Sequence, residues 1–211
     1  PLVSGTTQFA YYSVGSWSKL SYVSSGGRST PPSGTTNDYY DIVQVYEATS
    51  DNFVAIAGVE SYQTLFCWVS GSTLLSSITS APRARYLAAV DNFVLAANIR
   101  DVGSAQSKYV QRVQWSDRGG PLTWLAASSN LAGFEDLLAA KGGITRLMVQ
   151  GERVIVFFEE EIWQGTRATG AASFTFAPID KSVGCPYSWT ITQTPLGLIF
   201  LARDNMIYLL P

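Results

Sequence analysis

The sequence contains no histidine, and this absence excludes several classes of catalytic site. Without an imidazole, the chain cannot build a Ser-His-Asp triad, a Cys-His pair or a histidine metal site. Carboxylates are then the main remaining candidates for general acid/base chemistry. No phosphate-binding glycine motif and no cysteine metal motif occurs either. The sequence therefore predicts no metal, no cofactor and no enzymatic activity.

Charged residues are scarce as well. They make up 14% of the 211 residues, against roughly a quarter in an average soluble domain. The net charge of −2 gives no overall basic field that would attract nucleic acid or an anionic membrane. The 14 basic residues are dispersed, and Arg83 and Arg85 are the closest pair. No apolar run reaches the roughly 18 residues that a membrane span requires.

The two cysteines, Cys67 and Cys185, lie far apart in the sequence. They form no disulfide framework, so we expect two reduced and mostly buried thiols. The remaining composition is rich in apolar residues, with 46% hydrophobic and 13% aromatic. Such a chain buries a large core, which excludes intrinsic disorder.

An internal repeat indicates the fold. Asp51–Ala57 recurs as Asp91–Ala97, with five of seven positions identical after a shift of 40 residues. Strand-like runs surround both copies, and the same order of runs returns twice further along the chain. Four strands in each repeat of roughly 40 to 50 residues is typical of β-propeller blades. We predict an all-β, propeller-like array of about four to five four-stranded antiparallel units.

We interpret the whole chain, 1–211, as a single propeller-like domain. Either its N-terminal strands complete the last unit and close the ring, or the propeller is incomplete. The predicted units are 1–23, 41–80, 85–127, 143–180 and 188–211. In the unit 85–127 we predict Leu122–Ala126 as the fourth strand. Residues 24–40 are rich in Ser, Thr, Gly and Pro and predict a loop, and 131–141 predicts a short helix that stops at two glycines.

Tryptophans recur at one position in the units. Trp68, Trp115 and Trp163 fall at or near the end of a predicted third strand, and Trp17 lies 51 residues before the first of them. Large aromatics at one position in each blade bury area between sheets. We favour this structural role over a ligand-stacking role.

The most concentrated carboxylates are Glu159, Glu160 and Glu161, between two predicted strands of one hairpin. Three consecutive carboxylates in a turn point in different directions, so we expect a solvated acidic turn and not a catalytic pair. Ser116–Trp124 loosely resembles the Asp-box of sialidase-like propellers. That motif stabilises a turn and indicates fold, not activity.

Four groups of short strings in the second half of the sequence occur in a distinctive order and spacing. They are Arg112–Asp117 with Pro121–Trp124; Gly143–Leu147 through Val154–Phe158 to Glu161–Trp163; Phe174–Phe176 running to Ile179–Cys185; and Gly197–Leu201 with Asn205–Tyr208. Through them, residues 108–211 resemble the tail hub and nozzle proteins of short-tailed bacteriophages, also called packaged-DNA stabilisation proteins.

The resemblance implies a structural protein of the virion tail, assembled in the bacterial cytoplasm. Its copies would form a ring, expected to be a hexamer, below the portal and adaptor proteins. The ring would retain packaged double-stranded DNA and conduct it at infection, without sequence-specific binding. An acidic turn at Glu159–Glu161 facing the channel would repel DNA and ease its passage.

Two alternatives remain open at this point. A carbohydrate-binding propeller module would expose repeating Trp or Tyr side chains on one rim. A sialidase-like glycoside-cleaving propeller needs two carboxylates on inner strands that face one cavity. The predicted inner strands, 42–46, 85–90, 144–150 and 189–194, contain no carboxylate, which argues against cleavage.

Overall fold

The protein is an all-β array of sheets. The computed structural model describes residues 10–13, 16–19, 21–23, 39–48, 51–59, 64–101, 107–168 and 173–211. Within these residues there is no α-helix, and hence no helix with the length and apolar character of a membrane span. The predicted loop 24–40 lies outside the described residues up to position 38, and Tyr40 already belongs to a strand.

The first seven strands form a two-stranded sheet and a large five-stranded sheet. They are β1 (Ala10–Ser13), β2 (Ser16–Lys19), β3 (Ser21–Val23), β4 (Tyr40–Glu47), β5 (Asn52–Val59), β6 (Phe66–Val69) and β7 (Leu74–Ser77). Strands β1 and β2 pair with each other, and the first large sheet has the order β3-β7-β6-β5-β4. Its strands β4 to β7 follow one another along the chain as an antiparallel meander, and β3 joins the outer strand β7 in parallel.

Three further antiparallel sheets follow in chain order. The second and third contain four strands each, and the fourth contains three. The second consists of β8 (Arg83–Val90), β9 (Phe93–Arg100), β10 (Lys108–Trp115) and β11 (Gly133–Asp136); the third of β12 (Ile144–Gln150), β13 (Arg153–Phe158), β14 (Ile162–Arg167) and β15 (Phe174–Asp180); the fourth of β16 (Thr192–Thr194), β17 (Gly197–Leu201) and β18 (Ile207–Leu210). A 3₁₀ helix, Ser188–Thr190, precedes the fourth sheet.

Consecutive sheets pack face to face, and each interface has its own apolar core. The third residue of each second strand faces the following sheet. Val54 of β5 packs toward the second sheet, Leu95 of β9 toward the third, and Ile155 of β13 toward the fourth. Strands buried on both faces have nearly continuous apolar sequences, as β9 and β13 do. The described strands do not form a closed ring, which is consistent with an incomplete propeller.

The array has two faces, which we name by the strand ends that they carry. At the start face, the first strand of each sheet begins and the second strand ends. A hydrogen bond shows this proximity: Asn98 Nδ2, near the end of β9, donates to the Ile144 carbonyl at the beginning of β12 (2.8 Å). At the turn face lie the hairpin turns between first and second strands, where Gly119 N donates to the Asn92 carbonyl (2.9 Å) and Ala48 N to the Gly119 carbonyl (2.9 Å).

The two copies of the sequence repeat do not occupy equivalent positions. Asp91 and Asn92, with φ of 48° and 61°, form a two-residue turn of the type favoured between antiparallel strands. In the first copy β4 and β5 are separated by four residues, and Asn52 already belongs to β5. This one-residue shift turns Val54 toward the second sheet, whereas its sequence counterpart Val94 faces back toward the first.

The helix predicted at 131–141 is wrong, and so is the strand predicted at Leu122–Ala126. Gly133–Asp136 forms the fourth strand, paired with the last half of β10. Gly133 lies opposite Trp115, where an added Cβ would come within 3.1 Å of the indole. Arg112 binds the Asp136 carboxylate through two bonds of 2.7 Å. These cross-strand contacts outweigh the helical spacing of the apolar residues.

The three described N-terminal strands do not complete the fourth sheet. Among the described residues, β1 and β2 pair with each other, β3 joins the first sheet, and no strand pairs with the outer edge of β18. The segment predicted as a first strand at 189–194 is divided between the 3₁₀ helix and β16.

Cys67 and Cys185 are free and buried, as predicted, and burial raises the pKa of both thiols.

Gly197 is required by both its conformation and its surroundings. Its φ is 137°, and an added Cβ would lie 2.1 Å from the Leu210 carbonyl oxygen on the paired strand. We expect Gly197→Ala to lower the free energy of unfolding by about 2–4 kcal/mol in urea denaturation, because β17 and β18 must separate. Gly151, with φ of 62° and nothing within 4 Å of an added Cβ, is the control: Gly151→Ala should cost about 1 kcal/mol. Equal losses would contradict this account.

Candidate functional site

The acidic turn does not form a uniform solvated group. Glu159 is exposed and Glu160 pairs with Arg203. Glu161, however, is only 2% exposed, and Trp163 Nε1 donates to its carboxylate at 2.8 Å. The expectation of three solvated carboxylates is therefore wrong for Glu161, which is a structural acceptor. The turn lies at the start face; whether Glu159 and Glu160 face a channel stays a prediction.

The indole N–H groups of Trp68 and Trp115 form hydrogen bonds that connect loops to the sheets. Trp115 and Trp163 are buried in the core between the second and third sheets, and Trp68 is half-buried. The indole N–H of Trp68 donates to the Ser72 carbonyl (2.7 Å) and that of Trp115 to the Leu131 carbonyl (2.9 Å). Trp17 lies in β2, and its side chain is outside the described part of the chain.

The Asp-box-like segment is a compact turn. Asp117 Oδ1 accepts hydrogen bonds from Arg118 N (2.9 Å) and Leu131 N (2.8 Å). Ser116 Oγ accepts one from Val94 N (3.0 Å), and the buried Trp124 donates to the Pro121 carbonyl (2.9 Å). The hydrogen bonds of these polar groups stabilise the long connection between β10 and β11.

A buried ion pair joins the first strands of three sheets. Asp41, near the beginning of β4, accepts a hydrogen bond from the backbone N–H of Leu87 on β8 (2.9 Å). Its other oxygen contacts Arg146 Nη2 on β12 at 3.3 Å. Both side chains are largely buried. We call Asp41 and Arg146 the inner pair.

Aromatic side chains cover the inner pair. The Arg146 guanidinium lies 4.3 Å from the ring centroid of Trp189, and the Tyr39 ring lies 4.7 Å from the same ring. Beside them, the Tyr86 and Ser188 hydroxyls share a hydrogen bond of 3.0 Å. Because Ser188 and Trp189 lead into the fourth sheet, this cluster connects all four large sheets.

Burial raises the pKa of Asp41, while the Arg146 charge and the Leu87 N–H act in the opposite direction.

The inner pair was not predicted, because β4 extends beyond 42–46 and includes Asp41 and Glu47. The expectation that inner strands contain no carboxylate is thus wrong. Asp41 and Glu47 are six positions apart along the strand, which is about 20 Å. Glycosidase carboxylates lie about 5–9.5 Å apart, so these two carboxylates do not have that geometry.

A second cluster that the sequence did not predict is basic. Arg83 on β8 lies directly opposite Arg100 on β9, and Arg100 lies directly opposite Lys108 on β10. Arg85 is two residues beyond Arg83, on the same strand. We call these four residues the basic row. Nothing in the sequence reveals it, because the register of three strands decides which residues become neighbours.

The start face also carries an open cleft of about 410 Å³ between the third and fourth sheets. Its charged lining residues are Lys141, Glu160, Lys181, Arg203 and Asp204. Two of them, Glu160 and Arg203, are paired, and Asp204 accepts hydrogen bonds from Met206 N and the Tyr208 hydroxyl. In the part of the chain that the structure describes, no three His, Cys, Asp or Glu side chains are grouped to hold a metal ion.

No protein-family model matches the sequence, and no curated protein matches it at a significant level.

The inner pair should be essential to stability. Asp41→Ala leaves the buried Arg146 charge and the Leu87 N–H without their acceptor, so we expect a loss of about 3–5 kcal/mol in the free energy of unfolding. Asp41→Asn keeps an acceptor and should cost about 1–2 kcal/mol. Adding Arg146→Met to Asp41→Ala should cost less than the sum of the single losses. Additive losses in urea denaturation would contradict the pairing, and Glu152→Ala, an exposed site, is the control.

The Arg112–Asp136 pair predicts a pH dependence. The hydrogen bonds from Arg112 lower the pKa of Asp136 below its ordinary value of 3.8. The contribution of this carboxylate is complete above that value and is lost as the pH falls through the lower pKa of the folded state. We expect Asp136→Asn to cost about 0.5–1 kcal/mol at pH 7, a difference from wild type that disappears in acid. Arg112→Gln should lower the free energy of unfolding over the same pH range. A difference from wild type that does not change with pH would show that the ion pair is not its cause.

Proposed function

We propose that this protein is a structural component of a short-tailed bacteriophage tail, a hub or nozzle whose copies form a ring-shaped conduit for DNA. In this role it binds no cofactor and catalyses no reaction. Its neighbours would be portal, adaptor and other tail proteins. The resemblance of residues 108–211 to that family supports the proposal, and so does the all-β array that the family's propeller-like body requires.

The observation that carries the proposal is an apolar sheet face that no described residue covers. Ile199, the third residue of β17, is equivalent in position to Val54, Leu95 and Ile155, each of which packs on a following sheet. Its neighbours on the same face include Leu209 and Ile207, which are 48% and 74% exposed. A face of this kind favours association with another chain.

The opposite end of the array has a matching face. On the first sheet, Ile42 and Phe53 point away from the second sheet and are 57% and 52% exposed. Every internal interface of the array joins the apolar faces of two sheets. Packing the fourth sheet of one copy on the first sheet of the next would repeat that interface between subunits, and a head-to-tail contact closes into a ring if the rotation permits.

The carbohydrate-binding alternative has one observation in its favour. Tyr39 and Trp189 are 52% and 42% exposed and lie together on the start face. The Trp189 ring is already engaged by Arg146 and Tyr39, which reduces the surface on which a sugar ring could stack. The repeating tryptophans do not help this alternative, because Trp115 and Trp163 are buried.

Electron microscopy of the purified protein, alone and with tail-less phage particles, tests the proposal. We expect a ring with a channel wide enough for duplex DNA, located below the portal. Ile207→Glu with Leu209→Glu should abolish the ring in light scattering, because charges would face an apolar partner. Leu138→Glu, at a site 76% exposed outside this face, should not. A monomer that binds glycans would refute the proposal.

A further inference from the structure

The fourth sheet has one strand fewer than the second and third sheets. In those two sheets the third strand pairs with a fourth, β10 with β11 and β14 with β15, and in the first sheet β6 pairs with β7. β18 is the third strand of its own sheet, and no described strand pairs with its outer edge. An edge with unpaired N–H and C=O groups is a template for the addition of another strand.

The backbone of β18 shows which groups this edge offers. In the turn that precedes the strand, the Met206 carbonyl accepts a hydrogen bond from the N–H of the residue that follows β17 (2.9 Å). Residues along an antiparallel pair alternate between those that bond the partner strand and those that do not, so Tyr208 and Leu210 also direct their backbone groups toward β17. Ile207 and Leu209 therefore direct their N–H and C=O groups away from the sheet.

The sequence of β18 does not protect this edge. Natural edge strands are protected by charged side chains, proline or bulges. β18 has the sequence Ile-Tyr-Leu-Leu and pairs with β17 in an unbroken register. The edge is therefore open to a further strand over its whole length.

The same chain contains strands with unpaired edges. β1 and β2 form a two-stranded sheet, and neither of them pairs with any other described strand. A two-stranded hairpin alone is at best marginally stable in water, and it gains stability in a sheet of three or more strands. β1 has the sequence Ala-Tyr-Tyr-Ser, with neither charge nor proline, so it is compatible with a neighbour such as β18.

The connection of the hairpin favours a donor in the next copy of the protein. Only one residue, Leu20, separates β2 from β3 in the sequence, and β3 lies at the outer edge of the first sheet. In the head-to-tail contact described above, the first sheet of one copy packs on the fourth sheet of the preceding copy. The outer edges of these two sheets would then be neighbours, and the hairpin would lie beside β18.

We propose that the β1–β2 hairpin of one copy adds to the free edge of β18 in the preceding copy and completes its fourth sheet. The choice of a second copy as the partner rests on the proposed function; the free edge of β18 does not. The added strand bonds the N–H and C=O groups of Ile207 and Leu209, and such main-chain bonds supply the affinity of strand addition. Each copy donates a hairpin at one end and accepts one at the other.

Amide hydrogen exchange at single-residue resolution, measured by mass spectrometry below and above the concentration at which the protein assembles, tests the strand addition directly. The amides of Ile207 and Leu209 should exchange at least about fivefold more slowly in the assembly, the effect of one backbone hydrogen bond. The amides of Tyr208 and Leu210 are the control and should be protected in both states. Unchanged exchange of Ile207 and Leu209 would overturn the inference, because packing on the sheet face alone leaves the edge unpaired.

Proline substitutions test the two surfaces separately. Ile207→Pro with Leu209→Pro removes both edge donors and keeps the ladder between β17 and β18, so it should weaken self-association about 30-fold without unfolding the chain. Tyr12→Pro with Trp17→Pro does the same to the hairpin, because these residues lie opposite each other, one position beyond the pair that closes the hairpin. Ile207→Val with Leu209→Val keeps the donors and the apolar character, and should assemble like the wild type.

Mixing the two proline variants tests the direction of the contact. At a concentration at which the wild type assembles, each variant alone should sediment as a monomer. An equimolar mixture should form 1:1 dimers, because the intact hairpin of one variant meets the intact β18 edge of the other. A mixture that stays monomeric would overturn the inference, as would proline variants that assemble like the wild type. Protection of Ile207 and Leu209 in the wild-type monomer would show pairing within one chain and would overturn it as well.

Ring formation is measured independently by microscopy. A ring in which the amides of Ile207 and Leu209 exchange freely refutes this inference alone. Dimers in the mixture, without a ring of the wild-type protein, refute the proposed function alone.

Discussion

A β-sheet with apolar side chains on both faces is stable only when each face is covered by another apolar surface, which in this protein is a neighbouring sheet. The second and third sheets of this protein satisfy that condition on both sides, and their central strands β9 and β13 are buried almost throughout. The low content of charged residues follows, because such strands leave few positions for them. The outer faces of the first and fourth sheets also carry apolar side chains, but there Ile42, Phe53, Ile207 and Leu209 are exposed.

Polar groups inside such an array must find partners at the ends of the strands. The indole N–H groups of Trp68 and Trp115 are bonded to backbone carbonyls, and Glu161 accepts the N–H of Trp163. The inner pair follows the same rule over a longer distance, since Asp41 bonds one neighbouring sheet and Arg146 comes from the next. Charge in this pair therefore serves to connect sheets.

Much of the strand order could be predicted from the sequence, because each sheet is a local meander and its apolar runs are separated by turn residues. The β8–β9 hairpin and the β12–β15 sheet lie close to their predicted bounds. Predictions failed where pairing partners decided the result. Helical spacing at 131–141 could not anticipate that Gly133 accommodates the Trp115 ring, and the repeat of Asp51–Ala57 could not reveal a turn longer than its counterpart. The inner pair depends on the packing of separate sheets, and the basic row depends on strand register. No local sequence pattern predicts either of them.

The separation of Asp41 and Arg146 along the chain has a consequence for the order of folding. Each meander can form from neighbouring segments as the chain emerges, but the carboxylate of Asp41 receives its cation only 105 residues later. Until the third sheet docks, closing the first interface leaves that carboxylate without a countercharge. An intermediate in which only the first two sheets have packed is therefore destabilised. When the third sheet docks, Arg146 supplies the countercharge, so this docking stabilises the interface between the first two sheets. The inner pair thus links early and late parts of synthesis into one folding unit.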